Sequence, residues 1–204
     1  LVRNEEILYQ LNGMSMYSST NTEEMWNFVK NMGFENLENR FQYAGSTEVM
    51  DMLLGIRYLF CRNTRTLHTA YKKIAESQSF DLYENPRALR SGYMVSDSVL
   101  DYAMEGTDPL EVQNRLLSGI VGKRLYKMQT VNSDTALIGN TTFNIHLKKG
   151  EHGYLYIPGT EPDTVTINGQ EQKSDYWNNN FLDLGTYNVD TIVQVTTGTG
   201  MHEA

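Results

Sequence analysis

The sequence predicts an α+β protein, with an N-terminal mixed α/β part over residues 1–125 and a C-terminal antiparallel β-sandwich-like part over residues 126–204. Three observations carry that prediction. Helix-start signals ahead of apolar runs at helical spacing fall only in the first part. Alternation of period two begins after about Tyr126 and is clearest where Phe143, Ile145 and Leu147 interleave with Asn144, His146 and Lys148. Asn168-Gly169, the preferred pair of a two-residue hairpin turn, lies inside that second pattern. No linker and no internal repeat marks the division near residue 125, so nothing in the sequence keeps the two parts from packing as one body.

The first element is a helix over Thr22 to Met32. Thr20 and Glu23 fit a capping box, Met25, Phe28, Val29 and Met32 form one apolar stripe, and Gly33 supplies the stop. Trp26 lies off that stripe and is expected at the flank of the core. A short helix is predicted over Thr47 to Leu54, capped by Ser46 and ended by Gly55. Ile56 to Cys61 reads as a buried strand, bulky and too short for a helix. Arg57 within it is placed either at a sheet edge or against a carboxylate. A buried partner would make Arg57→Met cost about 3 kcal/mol or more.

Phe80 to Tyr83 is the next strand, broken by Asn85-Pro86, because proline restricts the residue before it. Tyr93 to Val95 is a further strand candidate. Pro109 to about Ile120 is a helix with Asp108 as N-cap and proline in the first turn, burying Leu110, Leu117 and Ile120. Beyond Phe143–Leu147, a turn is expected at Gly150–Gly153, and Tyr154–Ile157 is a strand stopped by Pro158-Gly159. Val165–Ile167, Phe181–Leu184 and Thr191–Val195 complete the series. Short strands at this spacing suggest a small antiparallel sandwich.

Hydrophobic residues make up 40% and charged residues 21% of the 204 residues, enough apolar material for a core. The net charge of −8 repels phosphate backbones, so nucleic acid is not an expected partner. No run of about 18 apolar residues occurs, and no signal-peptide pattern opens the chain. Leu1 in place of methionine fits a piece of a longer protein. The single cysteine, Cys61, has Ile56, Leu59 and Phe60 as neighbours and is expected as a buried thiol.

Known catalytic signatures are missing. The histidines, His68, His146, His152 and His202, form no metal-ligand spacing, so neither a metal nor a cofactor is expected. His146 and His152 flank one turn and are expected to meet across it as a surface hairpin pair. No Gly-x-Ser-x-Gly motif, phosphate loop or dinucleotide fingerprint occurs, and Leu117-Ser118-Gly119 reads as the end of a helix. No catalytic residue is assigned. The candidate ligand-binding residues are Tyr176, Trp177, Asn178 and Asn179, within Asp175–Phe181. An aromatic side chain covers the apolar face of a sugar ring while amides bond its hydroxyls. The competing reading has Trp177 plugging one end of the sandwich and the asparagines forming turns.

Several short motifs, in order, resemble the YfhO family of multi-pass bacterial membrane proteins. Asn12-Gly13 precedes Tyr17-Ser18-Ser19-Thr20 ahead of the first helix. Gly45-Ser46-Thr47 leads into Leu53-Leu54-Gly55-Ile56-Arg57-Tyr58, similar to the family's LLGVKY stretch. Leu82-Tyr83-Glu84-Asn85-Pro86 is followed by Ala88-Leu89 and Gly92-Tyr93-Met94-Val95, and Gly153-Tyr154-Leu155-Tyr156-Ile157-Pro158-Gly159 by Asn168-Gly169. Arg90 stands where the family often has proline, and the segment after Pro158 lacks its Gly-Trp pair, so residue roles are not carried onto those loops. The resemblance implies a soluble domain on the outer face of a membrane protein with many spanning helices. It implies kinship with glycosyltransferases that draw on a polyprenyl-phosphate sugar and act on cell-surface polymers such as lipoteichoic acid. The implied partners are the protein's own transmembrane region and a cell-surface glycopolymer. The implied role is accessory, orienting the acceptor or bracing the membrane part. A stand-alone carbohydrate-binding module and a purely structural protein-interaction domain are the alternatives.

Overall fold

The computed structural model describes residues 10, 12–18, 20, 22–37, 40–43, 47–62, 71–90, 92–101, 106–131, 133–135, 140–158, 162–172 and 181–198. In chain order the elements are β1 (Met16–Tyr17), α1 (Glu23–Asn31), β2 (Glu35–Leu37), β3 (Arg40–Gln42), α2 (Glu48–Leu53), β4 (Tyr58–Arg62), β5 (Lys72–Glu76) and β6 (Phe80–Glu84). A 3-10 helix (Asp97–Asp101) and α3 (Pro109–Val121) follow. The last strands are β7 (Ser133–Thr135), β8 (Asn140–Leu147), β9 (His152–Tyr156), β10 (Thr164–Ile167), β11 (Gln170–Gln172), β12 (Phe181–Thr186) and β13 (Thr191–Gly198). The fold is α+β, with the described helices in the first part and antiparallel sheets filling the second.

The helices begin where polar side chains cap free N–H groups, and in two cases the cap lies one or two residues later than the sequence suggested. Thr22, not Thr20, accepts from the Met25 N–H; Thr20 bonds Ser18 instead. The box fails because an N-cap must lie immediately before the first helical residue, here Glu23. Thr47 rather than Ser46 caps α2, accepting from the Met50 N–H at 3.2 Å. Asp108 caps α3 as expected, accepting from Leu110 and Glu111, with Pro109 opening the helix. The three helices bury Val29, Met32, Met50, Leu53, Val112 and Leu117 together with Phe34. Trp26 packs at the edge of this cluster under the Lys30 ammonium, whereas Met25 turns to solvent at 50% exposure.

A three-stranded sheet, β4-β6-β5, buries Leu59 and Cys61 with Tyr71 in a cluster of its own, and Tyr43 packs against both this cluster and the helical one. The sheet's first strand is not buried throughout, contrary to expectation. Leu59 and Cys61 face the core, but Tyr58 and Phe60 face outward, because the sheet is covered on one face only and successive side chains alternate between faces. Cys61 is the buried thiol anticipated. Arg57, just before β4, is 62% exposed and pairs with the Glu84 carboxylate at 3.2 Å, so both the edge and the carboxylate readings hold but burial does not. Tyr93–Val95 forms no ladder, and the Tyr93 hydroxyl donates to the Leu53 carbonyl.

In the second part, a five-stranded sheet ordered β11-β10-β13-β8-β7 faces the pair β12-β9. Ile145, Leu147, Val165, Val193 and Val195 from one sheet meet Leu155, Leu182 and Leu184 from the other. The Asn168-Gly169 hairpin forms as read, with Asn168 at φ 51° and Gly169 at φ 78°, both central residues left-handed as the tight turn requires. The turn at 148–151 is not a hairpin. It carries the chain from β8 in one sheet to β9 in the other, because both strands place their apolar residues between the sheets. His146 therefore stands opposite Ile192 on the solvent face, and His152 belongs to the facing sheet.

Candidate functional site

The densest polar constellation among the described residues lies where the helical layer meets the sandwich. α2 and its cap supply three members, Thr47, Glu48 and Asp51, within little more than one turn. Thr47, buried at the cap, donates to Gln113 Oε1 of α3 at 2.9 Å. Gln113 in turn donates to the Met32 carbonyl at 2.9 Å. The Tyr126 hydroxyl donates to Thr47 Oγ1 at 2.7 Å. Tyr126 is itself pinned by Asn114, whose Oδ1 accepts from the Leu125 and Tyr126 N–H groups and whose Nδ2 donates to the Tyr126 carbonyl. The Glu48 N–H, one of the free donors at the start of α2, donates to the Tyr154 hydroxyl of β9 at 2.9 Å. The Glu48 carboxylate pairs with Arg87.

Asp51, one turn on, is 2% exposed and takes two tyrosine hydroxyls on one oxygen: Tyr43 at 2.7 Å, and Tyr71. Burial, reinforced by the Asp51 charge, pushes the Tyr71 hydroxyl far above the ordinary tyrosine value. Burial does the same for Tyr154, with Asp183 adding to it, and for Tyr126. These hydroxyls stay protonated, Tyr71 donating to Asp51, Tyr126 donating to Thr47 and Tyr154 accepting from the Glu48 N–H, so none is poised as a nucleophile or base. The rings of Tyr126 and Tyr154 meet edge to face, 6.2 Å between centroids, which closes the seam with apolar surface as well.

At the outer margin stands a more accessible pair. His152 Nε2 lies 2.8 Å from Asp183 Oδ1, and Nδ1 lies 2.7 Å from Thr186 Oγ1. The imidazole sits 4.6 Å from the Tyr154 ring centroid. Asp183 is fixed by the Gly185 N–H at 2.9 Å, across a register shift in β12. This margin groups carboxylate, imidazole and hydroxyl side chains, with both imidazole nitrogens engaged by Thr186 and Asp183. No group of three or more metal-ligating side chains occurs among the described residues.

The residues singled out from sequence, Tyr176, Trp177, Asn178 and Asn179, lie outside the described residues. So do His68 and His202. Of the two remaining histidines, only His152 enters the constellation, and with Asp183 rather than His146. Sequence reasoning missed Tyr43, Asp51, Tyr71, Tyr126 and Tyr154 as a group. They come from segments far apart in the chain, and no spacing rule joins them. The one local signal was the threonine opening α2.

The architecture is that of an α+β domain in which no described helix is long and apolar enough to cross a membrane. A family model described as bacterial membrane protein YfhO matches residues 2–200. The chain belongs to the YfhO family of bacterial membrane proteins, and membrane association comes with that membership. No curated protein matches the chain. No solved structure matches it.

Proposed function

We propose that this chain is the extracytoplasmic domain of a polytopic membrane glycosyltransferase that uses a polyprenyl-phosphate sugar to modify a cell-surface polymer of lipoteichoic acid type, and that it serves by orienting the acceptor or bracing the membrane part. The observation that carries the reading is the match to a membrane-protein family over residues 2–200, combined with a described fold that holds no spanning helix. A lipid-linked donor needs an apolar channel, which the described helices do not build, so the chemistry belongs to spanning segments and the present chain handles what lies outside them. The acceptor-contacting residues in this reading are Tyr176, Trp177, Asn178 and Asn179. They lead directly into β12, the strand that carries Asp183 to the seam.

A glycan-binding panel that includes glycerol-phosphate and ribitol-phosphate polymers tests the role. Binding lost in Trp177→Ala selects acceptor orientation, or, if simple sugars bind as well, a carbohydrate-binding module. No binding to any glycan selects bracing. Sugar transfer or glycan hydrolysis by this chain alone would overturn the proposal.

A further inference from the structure

The sheet β4-β6-β5 buries only one of its faces. Leu59 and Cys61 point into the core, so Tyr58 and Phe60 point away, since successive side chains of a strand alternate. In the register Phe60 stands opposite Leu82, and Tyr58 opposite Glu84, which puts Phe80, Leu82 and Glu84 on that same outer face. Phe60 is 67% exposed, and Tyr58 and Phe80 are exposed on the same face. Water is a poor neighbour for adjacent aromatic and aliphatic side chains, and grouped exposure of this kind marks an interaction surface.

The order of residues along the sheet is graded. Near the turn Ser77–Ser79 stand Phe80 and, one pair further, Leu82, Ala75 and Phe60. At the far end stand Tyr58, Lys72, Glu84 and Arg57. Glu84 pairs with Arg57, whose guanidinium also lies 5.7 Å from the Tyr58 ring centroid. Lys72 faces the same carboxylate across the ladder and makes no ion pair among the described residues, so this end carries a surplus positive charge. Lys73 pairs with Glu76 and Asp81 on the opposite face of the sheet, the one that carries Leu59 and Cys61, so these acidic side chains lie off the outer face. The chain as a whole carries −8, so this combination of apolar surface with a surplus cation runs against its general character.

We propose that the outer face of β4-β6-β5 seats against the anionic headgroups of a lipid bilayer. Phe60, Phe80 and Leu82 enter the boundary between headgroups and acyl chains, Tyr58 lies at headgroup level, and Lys72 meets lipid phosphate. Such a contact fixes the orientation of the domain over the membrane to which its family belongs. It rests on that family membership and not on any sugar being bound, so a negative glycan panel leaves it standing.

Flotation of the 204-residue chain with vesicles tests it, using phosphatidylcholine alone and phosphatidylcholine mixed with phosphatidylglycerol. The chain is expected to float with the mixed vesicles, less so at high salt, and weakly with phosphatidylcholine alone. Phe60→Ser combined with Phe80→Ser should lower partitioning by about tenfold or more on both vesicles, with the circular dichroism spectrum unchanged. Lys72→Gln should lower it about fivefold on the anionic vesicles and leave the neutral ones unaffected, which keeps the test decisive should the double variant fold poorly. No flotation with either vesicle would overturn the proposal, as would partitioning indifferent to both variants. A concentration-dependent dimer that Phe60→Ser dissolves would also overturn it, by assigning the face to a second copy of the chain.

Discussion

Asp51 concentrates two tyrosine hydroxyls on one buried carboxylate oxygen, and the energetics of the seam follow from that arrangement. Asp51→Ala removes the shared acceptor in a place water does not reach. The expected loss is about 2–4 kcal/mol, read as a lowered urea midpoint. The same burial fixes a pH dependence. Tyr71, Tyr126 and Tyr154 all have pKa values raised above the ordinary tyrosine value of about 10. Above that pH the unfolded chain releases protons that the folded chain still holds, so the unfolded state gains and stability falls. Below it the contribution is fully present. Urea midpoints should therefore be flat through the mildly alkaline range and decline as pH rises beyond about 10, with a shallower decline in Tyr71→Phe. Arg57 illustrates the opposite case. Its pair with Glu84 is exposed and screened, so Arg57→Met should change stability by less than about 1 kcal/mol, far below the cost of breaking a buried pair.

At the scale of elements, what decides a helix or hairpin locally was legible in the sequence. Asp108-Pro109 gave both the start and the first turn of α3, and Asn168-Gly169 gave the turn between β10 and β11. Caps were misplaced by a residue or two because Thr20, Thr22, Ser46 and Thr47 are chemically similar, and only backbone geometry chooses among them. The route of β8 into β9 was illegible, since a turn between two alternating strands reads the same whether it closes a hairpin or crosses between sheets. The seam was illegible for a related reason: Tyr43, Asp51, Tyr71, Tyr126 and Tyr154 come together only through tertiary packing. The contact between α1 and α3 offers a test at this scale. Gly33 ends α1 at φ 85°, and a Cβ there would lie 2.9 Å from Pro109 Cβ, part of a ring that cannot rotate aside. At Gly122, φ 73°, a Cβ would meet nothing within 4 Å. Gly122→Ala should cost about 1 kcal/mol for the left-handed backbone alone, and Gly33→Ala about 2 kcal/mol or more, both measured by urea unfolding.

Across the whole molecule, the stretch around residue 125, where the sequence changes pattern, is tied to both parts by hydrogen bonds and ring packing. Asn114 clamps Leu125 and Tyr126 to α3, Tyr126 reaches Thr47 and packs on Tyr154, and the Tyr156 hydroxyl bonds the Thr107 carbonyl at 2.8 Å. Helical layer and sandwich are thus joined by directed hydrogen bonds, which fix one against the other. The central claim is that this body stands outside the cytoplasm on a membrane protein. Labelling of the full-length protein in living bacteria tests that most directly. A Glu171→Cys variant places a thiol on the exposed β10–β11 hairpin, while the natural Cys61 is buried and gives little background. A membrane-impermeant maleimide should label the variant in intact cells; labelling that appears only after the membrane is opened would contradict the account.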